Sequence, residues 1–249
     1  MASELFLALA DDLAQLIRLH DREIDGATLA ALKAVAFPTG LALPPAGEAG
    51  AAAYANMHEA LGEDISLDWL AADFSAIYLN NRLGASPYES VWVTDDHLAC
   101  GLPMFEVREI YAASGWQVTD WRQRFDDHLV LQLQFLQRQF QSGTADVERL
   151  AGFIDEHVGY WLPDFAQRVS MYCDTSFYAA LAELTHVWLQ RCREVLADIT
   201  GLAVPTREEM TVRIQKKLAM DKAEVAPIRF MPGVQGPSWY LQRDCLWRQ

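Results

Sequence analysis

The chain has 249 residues, is 51% hydrophobic, and sets 34 Asp and Glu against 20 Lys and Arg, for a net charge of −14 with histidine neutral. That length and apolar content suffice for one large core with an appendage, while the negative balance repels nucleic-acid phosphate and anionic lipid and favours basic peptides. The amino terminus lacks a basic segment followed by a long apolar run, and no apolar stretch is long enough to span a bilayer, so a cytoplasmic protein without membrane insertion is expected.

In chain order, Leu5, Leu9, Leu13, Leu16, Ile17 and His20 share one helical face, and the Pro/Gly-rich residues 38–50 read as a loop. Leu67, Leu70, Phe74, Ile77 and Tyr78 repeat the three-four spacing after Ser66, a suitable cap. From Asn80 to Leu102 helical periodicity is lost, yet Pro87, Tyr88 and Trp92 lie there; a long structured loop in a compact domain is often functional. Pro103 suits the first turn of a helix ending near Gly115, and Asp126-Asp127-His128 opens a helix that Gly143 closes. Val147, Leu150, Phe153, Ile154, Val158, Trp161 and Leu162 form the next stripe, expected to break or kink at Pro163. Phe177, Leu181, Leu184, Trp188, Cys192, Val195 and Ile199 line a long helix stopped by Gly201 and Pro205. No βαβ alternation competes, so the expected fold is all-α: a single helical bundle over residues 1–205 with a long functional loop and an irregular extension over 206–249. The extension holds 8 Lys and Arg against 5 Asp and Glu, leaving 12 against 29, a net −17, on residues 1–205.

Two carboxylates and an imidazole at the doorstep of an apolar helix admit several readings. Asp126 and Asp127 can cap the first turn and meet its partial positive charge. Asp127 beside His128 invites proton transfer, but adjacent residues do not by spacing form a catalytic pair and no activating motif accompanies them. No catalytic residue, and no enzyme, is therefore expected. The six histidines form no close pair and the four cysteines no C-x-x-C, so neither a metal site nor a disulfide framework is indicated and no cofactor is expected. Within Ser86-Pro87-Tyr88-Glu89-Ser90-Val91-Trp92, Pro87 fixes a turn, Glu89 can tie down backbone donors or Arg108, and the aromatics can either close the bundle's end or grip a ligand. An aromatic-rimmed loop near an acidic helix start suits a peptide with an apolar run and guanidinium groups.

The order of these pieces resembles the TorD/DmsD/NarJ family of molybdoenzyme-specific, redox enzyme maturation chaperones. The resemblance covers roughly residues 65–195. Asp73-Phe74-Ser75-Ala76-Ile77-Tyr78-Leu79 looks like the family's D-Y-x-x-L-F helix, and the Pro-aromatic-x-Ser-Val-aromatic loop follows, then Gly101 and Arg108. Asp127-His128-Leu129 matches the D-H signature, Glu156-His157 through Pro163-Asp164-Phe165 the E-H-L-x-x-W-x-P-x-F helix, and Phe177-Tyr178-Ala179-Ala180-Leu181 completes the pattern. Asn80-Asn81 stands where a Gly-Pro pair is common, and Gln132 and Gln134 stand where carboxylates are often found.

The resemblance implies an all-helical chaperone without chemistry of its own. Its partner would be the catalytic subunit of a molybdopterin-dependent oxidoreductase, bound through its twin-arginine signal peptide or as apo-protein until cofactor is inserted and export proceeds. A NarJ-like chaperone for a non-exported nitrate-reductase-type subunit, or a plain helical interaction protein, are the alternatives, and a homodimer is left open. The peptide contact set carried over is Phe74, Ile77, Tyr78, Pro87, Tyr88, Trp92, Gly101, Asp127 and His128, with Glu89 and Arg108 as structural support. In the extension, Arg229-Phe230-Met231 and Trp239-Tyr240-Leu241-Gln242-Arg243 combine cations with apolar anchors as a leader does, which suggests a tethered competitor.

Overall fold

The computed structural model describes residues 2–120, 122–143 and 146–224. Among them the chain is all-helical, without strands: α1 (Ala2–Asp21), α2 (Gly26–Ala34), α3 (Gly47–Gly62), α4 (Leu67–Phe74) running into a π-helical turn (Ser75–Leu79), α5 (Glu89–Val93), α6 (Leu102–Ala113), α7 (Leu129–Gln141), α8 (Val147–Glu156), α9 (Val158–Tyr172), α10 (Ser176–Thr200) and α11 (Arg207–Glu224). The expected all-α bundle is thus observed. Contacts divide the chain into Met1–Val212 and Arg213–Gln249, a boundary inside α11. The two cation-plus-aromatic stretches of the extension lie outside the described residues.

The apolar stripes become the core. Leu9, Leu13 and Leu16 of α1 are fully buried, as are Leu129, Val130, Leu133, Leu136 and Phe140 of α7, the helix against which α1 packs. Helix α10 runs through the middle against α9 and α3, and buries Phe177, Leu181, Leu184, Trp188, Cys192 and Leu196. Two carboxylates sit inside this apolar mass with a defined task each. Asp12 accepts from the Ala42 amide at 2.8 Å and from the Trp188 indole at 2.8 Å, tying the loop after α2 to α1 and α10. Asp73 accepts from the amides of Asp174 at 3.1 Å and Thr175 at 2.7 Å, so a carboxylate from α4 holds the two residues that lead into α10.

Glycines at positive φ close the helices where the sequence places them: Gly115 after α6, Gly143 after α7 and Gly201 at the end of α10. Two local expectations are overturned. Ser66 precedes α4 but makes no side-chain cap bond. Of the break or kink expected at Pro163, the break is not found: α9 runs through it, with the one bond to the Gly159 carbonyl lost. The break falls one turn and a half earlier, at His157, which leaves helical geometry at φ −119° and ψ −105°. There the chain folds so tightly that a Cβ on Gly159 would lie 2.6 Å from the Ile154 carbonyl oxygen. Gly159→Ala is therefore expected to destabilise the protein by about 1–3 kcal/mol through forced backbone movement, read as a lower urea midpoint at unchanged helical content.

Candidate functional site

The stretch between the π-helical turn and α6 is an ordered loop that carries the short helix α5. Its buried residues are Ala85, Ser86, Pro87, Glu89 and Ser90, so it is anchored by small and polar groups rather than by large apolar ones. The anchor is the start of α7. The Glu89 amide donates to the Asp127 carbonyl at 3.1 Å and the Leu129 amide to the Pro87 carbonyl at 2.8 Å, forming a single antiparallel bridge between Tyr88 and His128.

Side chains complete the attachment. Asp127 is fully buried, and its Oδ2 accepts from the Ser90 amide at 2.9 Å and from the Ser90 hydroxyl at 2.5 Å. The same hydroxyl oxygen accepts from the Gly101 amide at 3.0 Å, which draws the far end of the loop onto α5. Gly101 is needed for that approach, since a Cβ there would stand 3.2 Å from both Ser90 Cβ and Thr94 Cγ2. The Trp92 indole donates to the Ser86 carbonyl at 2.7 Å and leaves the ring half-buried. The Tyr88 ring, also half-buried, stands edge-on to His128 at 4.9 Å and against Phe125 at 5.7 Å.

The cap of α7 differs from the sequence expectation. His128, not either aspartate, is the capping residue: its Nδ1 accepts from the Val130 amide at 3.1 Å. Burial holds its pKa well below the usual value, and Arg124 and His20 push the same way, so the ring is neutral with its proton on Nε2. Asp126 instead takes Arg108 through Nε at 3.1 Å and Nη2 at 2.7 Å. Glu89 does not pair with Arg108; it is buried against His157 Nδ1 at 3.0 Å and Gln132 Nε2. The acidic helix start is therefore consumed by internal partners, because each carboxylate is buried where an unpaired charge would be costly.

Phe74, Ile77 and Tyr78 belong to a second cluster on the π-helical turn, with Ile77 fully buried and Phe74 nearly so. The Tyr78 ring stands 4.9 Å from Phe74 and 6.4 Å from Phe165. Its hydroxyl meets His20 Nδ1 at 2.5 Å, and His20 Nε2 meets Thr185 Oγ1 at 2.8 Å. Thr185 spends its own proton on the Leu181 carbonyl at 2.8 Å, so His20 donates from Nε2 and accepts from Tyr78. Burial lowers the His20 pKa to about 3, which keeps this relay neutral.

Large apolar side chains are nevertheless exposed around the loop: Leu79 at its entry, Leu98 within it and Phe105 just after it are 71%, 63% and 46% accessible. The exposed carboxylates of Asp95, Asp96 and Glu109 lie in the same stretch of chain. Sequence reasoning missed Ser90, Gln132 and His20 as site builders. The legible signal was a polar residue on an apolar helical face, which Gln132 is on α7 and His20 on α1. Among the described residues no group of His, Cys, Asp and Glu could hold a metal ion, and no helix is long and apolar enough to cross a membrane.

A family model described as "Nitrate reductase delta subunit" matches residues 44–167, which include the loop and the start of α7. A chaperone protein TorD of Vibrio cholerae serotype O1 is 32% identical over 147 residues, 55% of this chain and 66% of its own, so the chain spans just under two thirds of that relative. One from Vibrio vulnificus is 33% identical over 133 residues, covering 49% and 61% of the two chains. One from Shewanella sp. strain ANA-3 is 30% identical over 188 residues, 72% of this chain and 88% of its own.

Burial raises the Asp127 carboxyl from 3.8 to about 6, against the pull of the two Ser90 donors and helped by nearby Glu89, and its Oδ1 has no hydrogen-bond partner. Since the folded value exceeds the unfolded one, protonation favours the closed loop: this stabilisation is complete below about pH 4 and is lost as pH rises through about 6. Hydrogen exchange of the Ser90 and Gly101 amides, corrected for intrinsic rates, should show protection falling across that window; flat protection would remove Asp127 from the closure.

Proposed function

The chain belongs to the TorD family of chaperones, and on that premise we propose that it binds the twin-arginine leader and the apo form of a molybdopterin-dependent oxidoreductase, holding it until cofactor insertion and export. The family is one of chaperones and not of enzymes. The observation that carries the reading is an ordered loop whose polar anchors are buried while Leu79, Leu98 and Phe105 stand exposed on a chain of net charge −14. A leader offers the complement: an apolar run for those side chains and guanidinium groups for an exposed carboxylate such as Glu109. In this reading Tyr88 and Trp92 are the contact residues of the carried-over set, half-buried on the loop's surface. Tyr78 joins them at the second cluster. Phe74, Ile77, Pro87, Asp127, His128 and Glu89 lie beneath and shape the surface, while Gly101 and the partly exposed Arg108 border it.

Calorimetry with the leader of a molybdoenzyme from the same host, and with its Arg-Arg to Gln-Gln form, tests this. Charged hydrogen bonds contribute about 1.5–3 kcal/mol, so the glutamine form should bind at least about tenfold more weakly, and added salt should narrow the difference. Equal binding of the two peptides contradicts the twin-arginine assignment. The description of the matching family model favours a second reading, a nitrate-reductase-type client without an exported leader, for which neither peptide binds but the client's catalytic subunit does.

Leu98→Asp should weaken leader binding by about tenfold or more while changing stability by no more than about 0.5 kcal/mol, since the residue is exposed. Parallel calorimetry and thermal unfolding check both halves.

A further inference from the structure

Beneath α5 lies a chain of polar contacts that none of the motif positions assigned to peptide contact explains. Glu89 sits in the first turn of α5 and is 1% exposed, Gln132 on α7 is 0% exposed, His157 at the α8–α9 break is 2% exposed, and Trp161 on α9 is 0% exposed. His157 Nδ1 lies 3.0 Å from Glu89 Oε1, Gln132 Nε2 bonds Glu89 Oε2, and the Trp161 indole meets Gln132 Oε1 at 3.1 Å. The directions are forced. An indole N–H only donates, so Gln132 Oε1 accepts; its amide nitrogen must then donate to Glu89; and an ionised Glu89 only accepts, so His157 carries its proton on Nδ1. Gln132 is the one member that must both accept and donate; an ionised carboxylate there would have no proton to give and would set two buried charges face to face.

We propose that Gln132, His157 and Trp161 are positioning residues of the leader site, acting through Glu89 to hold α5, and with it Trp92, against α7 and α9. This rests on the reading of the loop as the leader site. The network spans 43 residues from Glu89 to Gln132 and 68 from Glu89 to His157, so it fixes the loop to two helices distant in sequence. Asp127 and Ser90 fix the same loop at its other side, so the two attachments define the orientation of α5 rather than only its position.

The bond directions predict a swap. In Gln132→Glu, Glu89 loses its donor and gains a facing carboxylate. In the double variant Glu89→Gln with Gln132→Glu, His157 donates to the new amide oxygen at position 89 and the amide nitrogen there donates to the new carboxylate at position 132. Trp161 donates to the other oxygen of that carboxylate, so every bond is restored with one charge. Hydrogen exchange of the 89–93 amides and leader affinity are measured on wild type, the single and the double variant, with circular dichroism for the bundle. Exchange should speed up by about tenfold or more in the single variant and leader affinity fall by a similar factor, while the double variant returns both to near wild type. A single variant identical to wild type, or a double variant no better than the single or unfolded, overturns the proposal. Should the single variant fail to fold, Trp161→Phe removes only the indole donor; its loop exchange should still rise, and unchanged exchange overturns the proposal equally. If wild type binds no leader while exchange follows the swap, the functional reading fails and the positioning of the loop stands.

Discussion

The surface between the π-helical turn and α6 depends on a carboxylate that no solvent reaches. Asp127 accepts both donors of Ser90, and the Ser90 oxygen in turn holds Gly101, so α5 and the far end of the loop meet at a single hydroxyl. Burying that charge works against its ionised form, which is why its carboxyl rises to about 6, and the charge-assisted bonds offset the cost only while Ser90 stays in place. A loop of this length with few large buried apolar groups would not otherwise be fixed, because ordering each residue costs about 1–2 kcal/mol of conformational entropy. Polar contacts with strict direction replace the missing apolar core and give one loop geometry rather than many.

A division of labour follows from that constraint. Residues carrying the family's signature lie mostly under the surface: Asp127, His128 and Glu89 are buried, and Asp126 is taken by Arg108. Outside stand Leu79, Leu98 and Phe105, exposed on a body whose net charge is strongly negative. Exposed large apolar groups on a rigid support are what an interaction surface offers, since their burial by a partner returns about 25 cal/mol per Å² without a large ordering cost to the loop.

The helices were legible because their apolar residues keep a three-four spacing, and the glycines after α6, α7 and α10 because each lies at positive φ, where a side chain is strained. Less legible was anything set by contacts remote in sequence. Pro163 signals a break by a local rule, whereas the break falls at His157, where Gly159 passes close to Ile154 and the His157 ring meets Glu89. Asp126-Asp127-His128 reads as an exposed acidic cap because charge at a helix start is normally solvated. Only the position of α5 reveals that one aspartate holds Ser90 and that the imidazole does the capping. Gln132 stands on the buried face of α7 and could have been singled out as a polar residue needing partners, but the partners themselves, Glu89 and Trp161, come from other helices.

The central claim is that the 80–102 loop, seated on buried carboxylates, presents the client surface. Photocrosslinking tests it most directly, using a leader peptide that carries a benzophenone within its apolar run and the intact chain, with adducts located by mass spectrometry. Adducts concentrated at Leu79, Leu98 and Phe105, and suppressed by an excess of unlabelled leader, are the predicted result. Competable adducts confined to α2 and α3, with none on the loop or α6, would contradict the account.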